Sequence, residues 1–280
     1  FALREVNKNI AISTNTPSKT SKEQIIKQAF KFHSQGNISK AVQYYRYFIN
    51  QGFKNDRIFA NYGVILRDQG KLKEAELLQR QAIELNPNFA EAYSNLGNIF
   101  RDFGNLEEAE LSTRQAIELN PDFVEAHSNL GNIFKDLGNL EKAEKSVRKA
   151  IKLNPNFAEA HSNLGLILYD LGQLQEAKLS ICKAVEINPN YAKAHLNLGN
   201  ILRDLGYLEE AELSIRKAIT LNPNFAEAYL NLSMIELLKG DYKNGLENYE
   251  FRWKKKQPII LHASPKIDPI DYKTLQKGAK

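Results

Sequence analysis

The 280-residue chain contains one cysteine, one methionine and one tryptophan. A lone cysteine, Cys182, can form no internal disulfide and supplies no CxxC zinc or redox site. No run of about 18 apolar residues occurs, so no segment reads as a transmembrane helix. The patterns GxxxxGK[ST], GxGxxG, HExxH and GxSxG are all missing, and with them the sequence signs of phosphate cradles, dinucleotide sites, zinc proteases and serine nucleophiles. The chain is therefore expected to be no enzyme by itself, with no catalytic residue, cofactor or metal. Wholesale disorder is excluded as well, because 42% of the residues are hydrophobic and only 25% are charged.

The formal net charge is +5, which invites nucleic acid or an anionic membrane as a partner until the charges are located. Residues 56–225 hold 24 acidic and 19 basic side chains, so the positive excess lies at the two ends. A nucleic-acid groove needs the opposite sign. Neither nucleic acid nor membrane is expected, and the acidic middle points to a protein partner, a basic one by preference. A cytoplasmic location is expected.

The ends differ from the middle. Residues 1–20 are rich in Asn, Ser and Thr, lack helical period and the apolar stretch of a secretory signal, and read as a flexible leader. Ser21 and Gln24 have the spacing of a capping box, which predicts a helix starting there. Residues 258–280, with three prolines, read as a linker into a following region.

Between them lies a repeat. Pro87, Pro121, Pro155, Pro189 and Pro223 fall 34 residues apart, each preceded by Asn. Whole segments recur: AEAYSNLGNIFRDFGNLEEAELSTRQAIELNPDF at 90–123 becomes VEAHSNLGNIFKDLGNLEKAEKSVRKAIKLNPNF at 124–157. A fixed period of this size signals a solenoid. Five clear frames fill 56–225, flanked by divergent frames at 22–55 and 226–257, so the array spans 21–257. Each frame reads as two antiparallel helices, A and B. In the 90–123 copy, Tyr93, Leu96, Gly97, Ile99, Phe100 and Phe103 give helix A an apolar face, and Gly104 follows where a left-handed residue is wanted. Helix B carries Leu106, Ala109, Thr113, Ala116, Ile117 and Leu119 and stops at Asn120-Pro121. The small Gly97 and Ala109 predict a close approach of the two helices. One hairpin cannot bury its own apolar face, so neighbours must stack.

The pattern aromatic/His-x2-L-G-x2-F/L, then Ala, Ala and Pro at fixed offsets, resembles the tetratricopeptide repeat. The resemblance implies an all-α, right-handed superhelical solenoid of antiparallel helix pairs, with a concave groove lined mainly by helix A. His127, His161 and His195 stand in the large-aromatic slot of helix A, a departure from the family pattern.

Counting from the first residue of each frame, positions 2, 6, 9 and 13 of helix A form one polar stripe opposite the packing residues. Position 6 is Asn61, Asn95, Asn129, Asn163, Asn197 and Asn231; position 9 is Asn98, Asn132 and Asn200, with Val64, Leu166 and Met234 elsewhere. Position 13 is Asp68, Asp102, Asp136, Asp170 and Asp204. An amide can donate to and accept from a peptide unit, so a ladder of amides suits an extended polypeptide read independently of its sequence. The arrangement resembles the asparagine ladder in the repeat half of nucleocytoplasmic O-linked N-acetylglucosamine transferases. In the 158–191 frame, Leu166 and Tyr169 interrupt the stripe and predict an apolar anchor pocket for a partner side chain. The acidic position 13 and Ser94, Ser128 or Ser162 at position 5 leave no basic clamp for C-terminal carboxylates.

Three histidines in register are not read as a metal site, because packed helices sit about 8–10 Å apart and zinc needs nitrogens at about 2.0–2.1 Å. They are expected to pack. Cys182, on a helix B, is expected to be a buried, inert thiol.

The last frame departs from the rest. Gly245 and Arg252 replace its two alanines, and Met234, Leu237 and Leu238 put apolar groups where other frames are polar. These are expected to be covered, by Pro258–Leu261 folding back or by a further domain. GDYKNGLENYEFRW at 240–253, with Tyr249, Glu250 and Arg252, resembles the closing repeat of bacterial proteins of this class that continue into a glycosyltransferase-like domain of the two-Rossmann type. That resemblance implies an alternative function: the chain as the substrate-recognition arm of a glycosyltransferase whose catalytic domain lies beyond Lys280.

Overall fold

The structure, a computed structural model, describes residues 21–251. The leader at 1–20, the linker at 258–280 and the expectations for Arg252, Trp253 and Pro258–Leu261 lie outside the described residues. Fourteen α-helices and no strand occupy the described part. They form two compact units, one ending at Leu153 and one beginning at Asn154. The first holds α1 (Lys22–Ser34), α2 (Ile38–Asn50), α3 (Asp56–Asp68), α4 (Leu72–Leu85), α5 (Ala90–Phe103), α6 (Leu106–Leu119), α7 (Val124–Asp136) and α8 (Leu140–Leu153). The second holds α9 (Ala158–Asp170), α10 (Leu174–Ile187), α11 (Ala192–Asp204), α12 (Leu208–Leu221), α13 (Ala226–Leu238) and α14 (Tyr242–Tyr249). Odd-numbered helices are the A helices of the frames and even-numbered ones the B helices. Within each unit every A helix packs on its own B helix, each B helix packs on the A helix of the next frame, and from α3 onward successive A helices also touch.

The helix ends follow from local chemistry. Ser21 accepts from Gln24 N while the Gln24 side chain accepts from Ser21 N, the reciprocal capping box the sequence predicts for α1. Gly104, at φ 82°, ends α5 in the left-handed region, which costs glycine nothing. At the other end of four hairpins the asparagine before proline leaves the helical region, with φ between −131° and −143°; Asn120 has φ −138° and ψ 91°. Its side chain has a second use. The Oδ1 atoms of Asn86, Asn120, Asn154, Asn188 and Asn222 each accept from the backbone N–H two residues on, at 3.0–3.3 Å. Each of these five inter-repeat connections is thus closed by an Asx turn, which explains why that residue is Asn and not merely any residue tolerated before proline.

Within a hairpin the two helices touch at the expected small residues. A Cβ added to Gly97 would lie 2.2 Å from Thr113 Oγ1 and 3.1 Å from the Ala109 carbonyl, so α5 and α6 are in backbone contact there. Ala109, Ala116, Ile99 and Leu96 are buried around that contact, while Phe103 faces solvent instead of joining the packed face. Cys182 also departs from expectation. It is exposed on α10, because the residue facing the core at that turn is its neighbour Ile181.

Candidate functional site: the helix-A faces

Each position-6 asparagine is half-buried between neighbouring A helices, except Asn231, which is buried. In the first unit Asn129 donates through Nδ2 to Ser94 Oγ at 3.1 Å, one repeat earlier. In the second unit Asn197 does the same to Ser162 Oγ, at 3.4 Å and so more weakly. The serine at position 5 thus anchors the next asparagine, a pairing that is visible in sequence only as a recurrent i, i+35 coincidence. Where the preceding position 5 is not serine the pairing lapses: Ala60 precedes Asn95 in this sense, and Leu196 precedes Asn231. Asn61 is held differently, by a hydrogen bond with the Tyr45 hydroxyl.

An amide has two N–H donors and an acceptor oxygen, so anchoring one N–H fixes the plane of the group and leaves the other hydrogen and Oδ1 for a ligand. At position 9, Asn98, Asn132 and Asn200 are half-buried on the same faces. The Asn200 Oδ1 atom is buried with no hydrogen-bond partner among the described residues.

The position-13 aspartates behave differently from a free acidic wall. Arg67 Nε lies 2.5 Å from Asp102 Oδ2, with Arg67 Nη2 3.3 Å from Oδ1, a two-pronged contact between α3 and α5. Arg101 Nε makes the equivalent contact to Asp136 Oδ2 at 2.5 Å, between α5 and α7. Arg67 and Arg101, at position 12, therefore neutralise the aspartate of the next repeat in the first unit. In the second unit Tyr169 fills the arginine's place and its hydroxyl donates to Asp204. That hydrogen bond is the main reason its phenol is held above its ordinary pKa, with burial adding to it. Partial burial works against ionisation of Asp204, but hydrogen bonds from Arg203 and Tyr169 outweigh it and hold the carboxyl below its ordinary value. Tyr169 is thus a member of this polar ridge, with its hydroxyl engaged, while Leu166 is half-buried beside it.

The histidines have a structural task. His127, His161 and His195 each place Nε2 2.8–2.9 Å from a proline carbonyl six residues earlier, at Pro121, Pro155 and Pro189. Because a carbonyl only accepts, Nε2 carries the proton there. The imidazole ties the start of helix A to the preceding turn. No group of three or more potential metal ligands exists among the described residues, and no described helix is long and apolar enough to cross a membrane.

At the end of the second unit Met234 and Leu238 are 42% and 65% exposed, and Leu237 packs against Gly245. The expected cover is not supplied by any described residue. One functional-looking feature escaped the sequence reading entirely. Glu236 takes the core position held by Phe100, Phe134, Leu168 and Leu202 in other frames, yet it is only 2% exposed. Its carboxylate accepts from Arg216 Nη2 at 2.9 Å and Asn248 Nδ2 at 2.8 Å, tying α12, α13 and α14 together.

Comparison with known proteins agrees with this geometry. A family model described as TPR repeat matches residues 63–102, 97–138 and 131–172. Models described as tetratricopeptide repeat match 158–191 and 192–225, and a further one 23–51. No curated protein matches the chain. Among solved structures, a tetratricopeptide repeat protein from Parabacteroides merdae is 19% identical with a TM-score of 0.64, over 84% of this chain and 93% of that one. A thermophilic TPR protein of Thermus thermophilus is 22% identical with a TM-score of 0.61, over 65% of this chain and all of that one. The pilF protein of Pseudomonas aeruginosa is 18% identical with a TM-score of 0.61, over 79% and 96%. At these identities the likeness is one of fold.

Proposed function

The chain belongs to the tetratricopeptide-repeat family, and from that premise we propose that it is an interaction scaffold whose helix-A faces bind an extended segment of a partner protein. Repeats of this family mediate protein–protein interactions and are typically non-catalytic. The observation that carries the finer reading is the clamping of Asn129 and Asn197 by the serines of the preceding repeat. An amide already fixed in orientation loses little side-chain entropy when it binds a peptide group. Asn95, Asn98, Asn132, Asn163 and Asn200 extend the same register. With Asp102 and Asp136 paired to arginines, recognition falls on the amides more than on charge. The acidic excess of the repeats still favours a basic segment, but weakly and in a salt-dependent way. Leu166 supplies an apolar contact within the stripe.

The test uses a peptide selected by the wild-type protein from a random library and labelled for fluorescence anisotropy. Changing Asn95, Asn129 and Asn197 together to Ala should weaken binding at least about tenfold, roughly 1.4 kcal/mol, with helicity by circular dichroism retained. Unchanged affinity removes the amide ladder as the binding element. Leu166→Asp should weaken the same peptide while Tyr169→Phe, which keeps the ring, should not.

A second reading rests on Met234 and Leu238: that exposed pair supports the chain as the recognition arm of a glycosyltransferase whose catalytic domain packs there. In a protein extended beyond Lys280, hydrogen exchange in α13 should slow relative to this chain. Equal exchange at Met234–Leu238 in the two proteins argues against it.

A further inference from the structure

The outer faces of the B helices carry leucines that the packing does not use. Leu77 on α4 and Leu111 on α6 are 57% and 68% exposed, at the same frame position in adjacent repeats of the first unit. Single exposed leucines are ordinary; leucines in register on neighbouring helices make a stripe. Beside Leu77 opens a cleft of about 730 Å³ whose apolar lining is Leu77, Phe100 and Phe103. The stripe ends at α8, where the equivalent residue is Lys145.

The charges around each leucine follow one pattern. Glu76 and Arg80 flank Leu77, and Glu110 and Arg114 flank Leu111; within each helix the two charges pair at 2.9 Å and 2.7 Å. The order Glu-Leu-x-x-Arg is self-complementary under reversal. A second copy of the same helix laid antiparallel presents its arginine to the first copy's glutamate and its glutamate to the first copy's arginine, with the leucines between. Arg80 and Arg114 are exposed and Glu76 and Glu110 half-buried, and an i, i+4 pair of this kind is worth well under about 1 kcal/mol, so re-pairing across an interface loses little. A face that complements itself in this way satisfies the condition for a closed twofold contact. The cleft gives the incoming leucine a seat against Phe100 and Phe103.

We propose that the α4–α6 outer face is a self-association surface: two copies of this chain pair through it about a twofold axis perpendicular to the helices, Leu77 and Leu111 of each meeting the same residues of the other. Glu76 then faces Arg80 of the second copy and Glu110 faces Arg114, in both directions. Lys145 on α8 limits the contact to these two helices, since like charges would meet there. α12 in the second unit carries the same order as Glu212, Leu213 and Arg216, but Arg216 is committed to the buried Glu236.

Sedimentation equilibrium of the full chain tests this, with circular dichroism confirming the fold of each variant. The wild type should show a concentration-dependent monomer–dimer equilibrium. Leu77→Glu with Leu111→Glu should weaken it by at least about tenfold, since truncating apolar anchors at the centre of an interface removes most of its energy. Two charge variants separate this geometry from general stickiness. One carries Arg80→Glu and Arg114→Glu, the other Glu76→Arg and Glu110→Arg; each alone should be monomeric, and an equimolar mixture should form heterodimers. A wild type that stays monomeric at high concentration overturns the proposal. So does self-association unchanged by the leucine substitutions, or a mixture of charge variants that fails to associate.

Discussion

Tyr45 is fully buried, with its hydroxyl 2.8 Å from His33 Nδ1, and burial pushes its pKa up to about 12. The folded state therefore resists its ionisation while the unfolded chain does not. Stability should be unaffected below pH 10 and fall by roughly 2–3 kcal/mol as pH rises toward 12. His33 works in the opposite pH range. Burial lowers its pKa from 6.5, against the attraction of Asp68, so its contribution is present above that value and is lost as pH falls through the lowered pKa. Urea titrations across both ranges check the pair, and Tyr45→Phe should remove the larger part of the alkaline loss, leaving what Tyr169 and Tyr191 contribute. Gly97→Ala is a simpler residue-scale probe. Its methyl would meet Thr113 Oγ1 and the Ala109 carbonyl, and overpacking of this kind costs about 1–3 kcal/mol, more than the helix propensity gained. At this scale the sequence announced its glycines and prolines clearly, because each is forced by backbone geometry. It did not announce why Asn precedes Pro or why His replaces an aromatic. Both depend on a hydrogen bond to a carbonyl or amide whose position exists only after folding.

Between elements, the ridge of Arg67–Asp102 and Arg101–Asp136 contacts is the repeated polar seam of the first unit. Exposed pairs of this kind are worth about 0.2–1 kcal/mol, so Arg101→Ala with Asp136→Ala should cost no more than the single changes added together, by thermal melts at low and high salt. The seam was hidden in the sequence because a stripe of aspartates and a neighbouring stripe of basic residues look like two solvated rows. Only the one-position offset between adjacent A helices turns them into pairs. Glu236 was hidden for the converse reason: its core position reads as a defect until Arg216 and Asn248 are brought to it. Replacing a buried, hydrogen-bonded charge by an apolar residue of similar size is often neutral or stabilising. Glu236→Leu should thus hold or raise the melting temperature, while Glu236→Ala, which leaves a void, should lower it.

For the molecule as a whole, contacts run within hairpins and between successive repeats, so stability is a sum of local terms. Hydrogen exchange of Gly97→Ala should then show loss of protection concentrated in α3 to α8, with α9 to α14 little changed. The repeat architecture was legible at once, since a 34-residue period is a property of the sequence itself. The proposed binding face was legible as a stripe, but the clamping of Asn129 and Asn197 was not, because each clamp joins two repeats.

The ridge has a further consequence for how such a gene can change. Arg67 and Arg101 are each matched by the aspartate 35 residues ahead, one period plus one, so neither pair is private to a particular place along the chain. Duplicating one of these whole periods by unequal recombination would leave its arginine facing an aspartate of the next repeat. Such an event changes the length of the array without creating an unmatched charge. A cut at any other length would break the register at once. The seam therefore acts as a filter on inheritance, passing changes in repeat number and rejecting partial ones, until it meets the last frame. There Leu238 stands where the next aspartate would be, and Arg203 turns to Asp204 of its own helix.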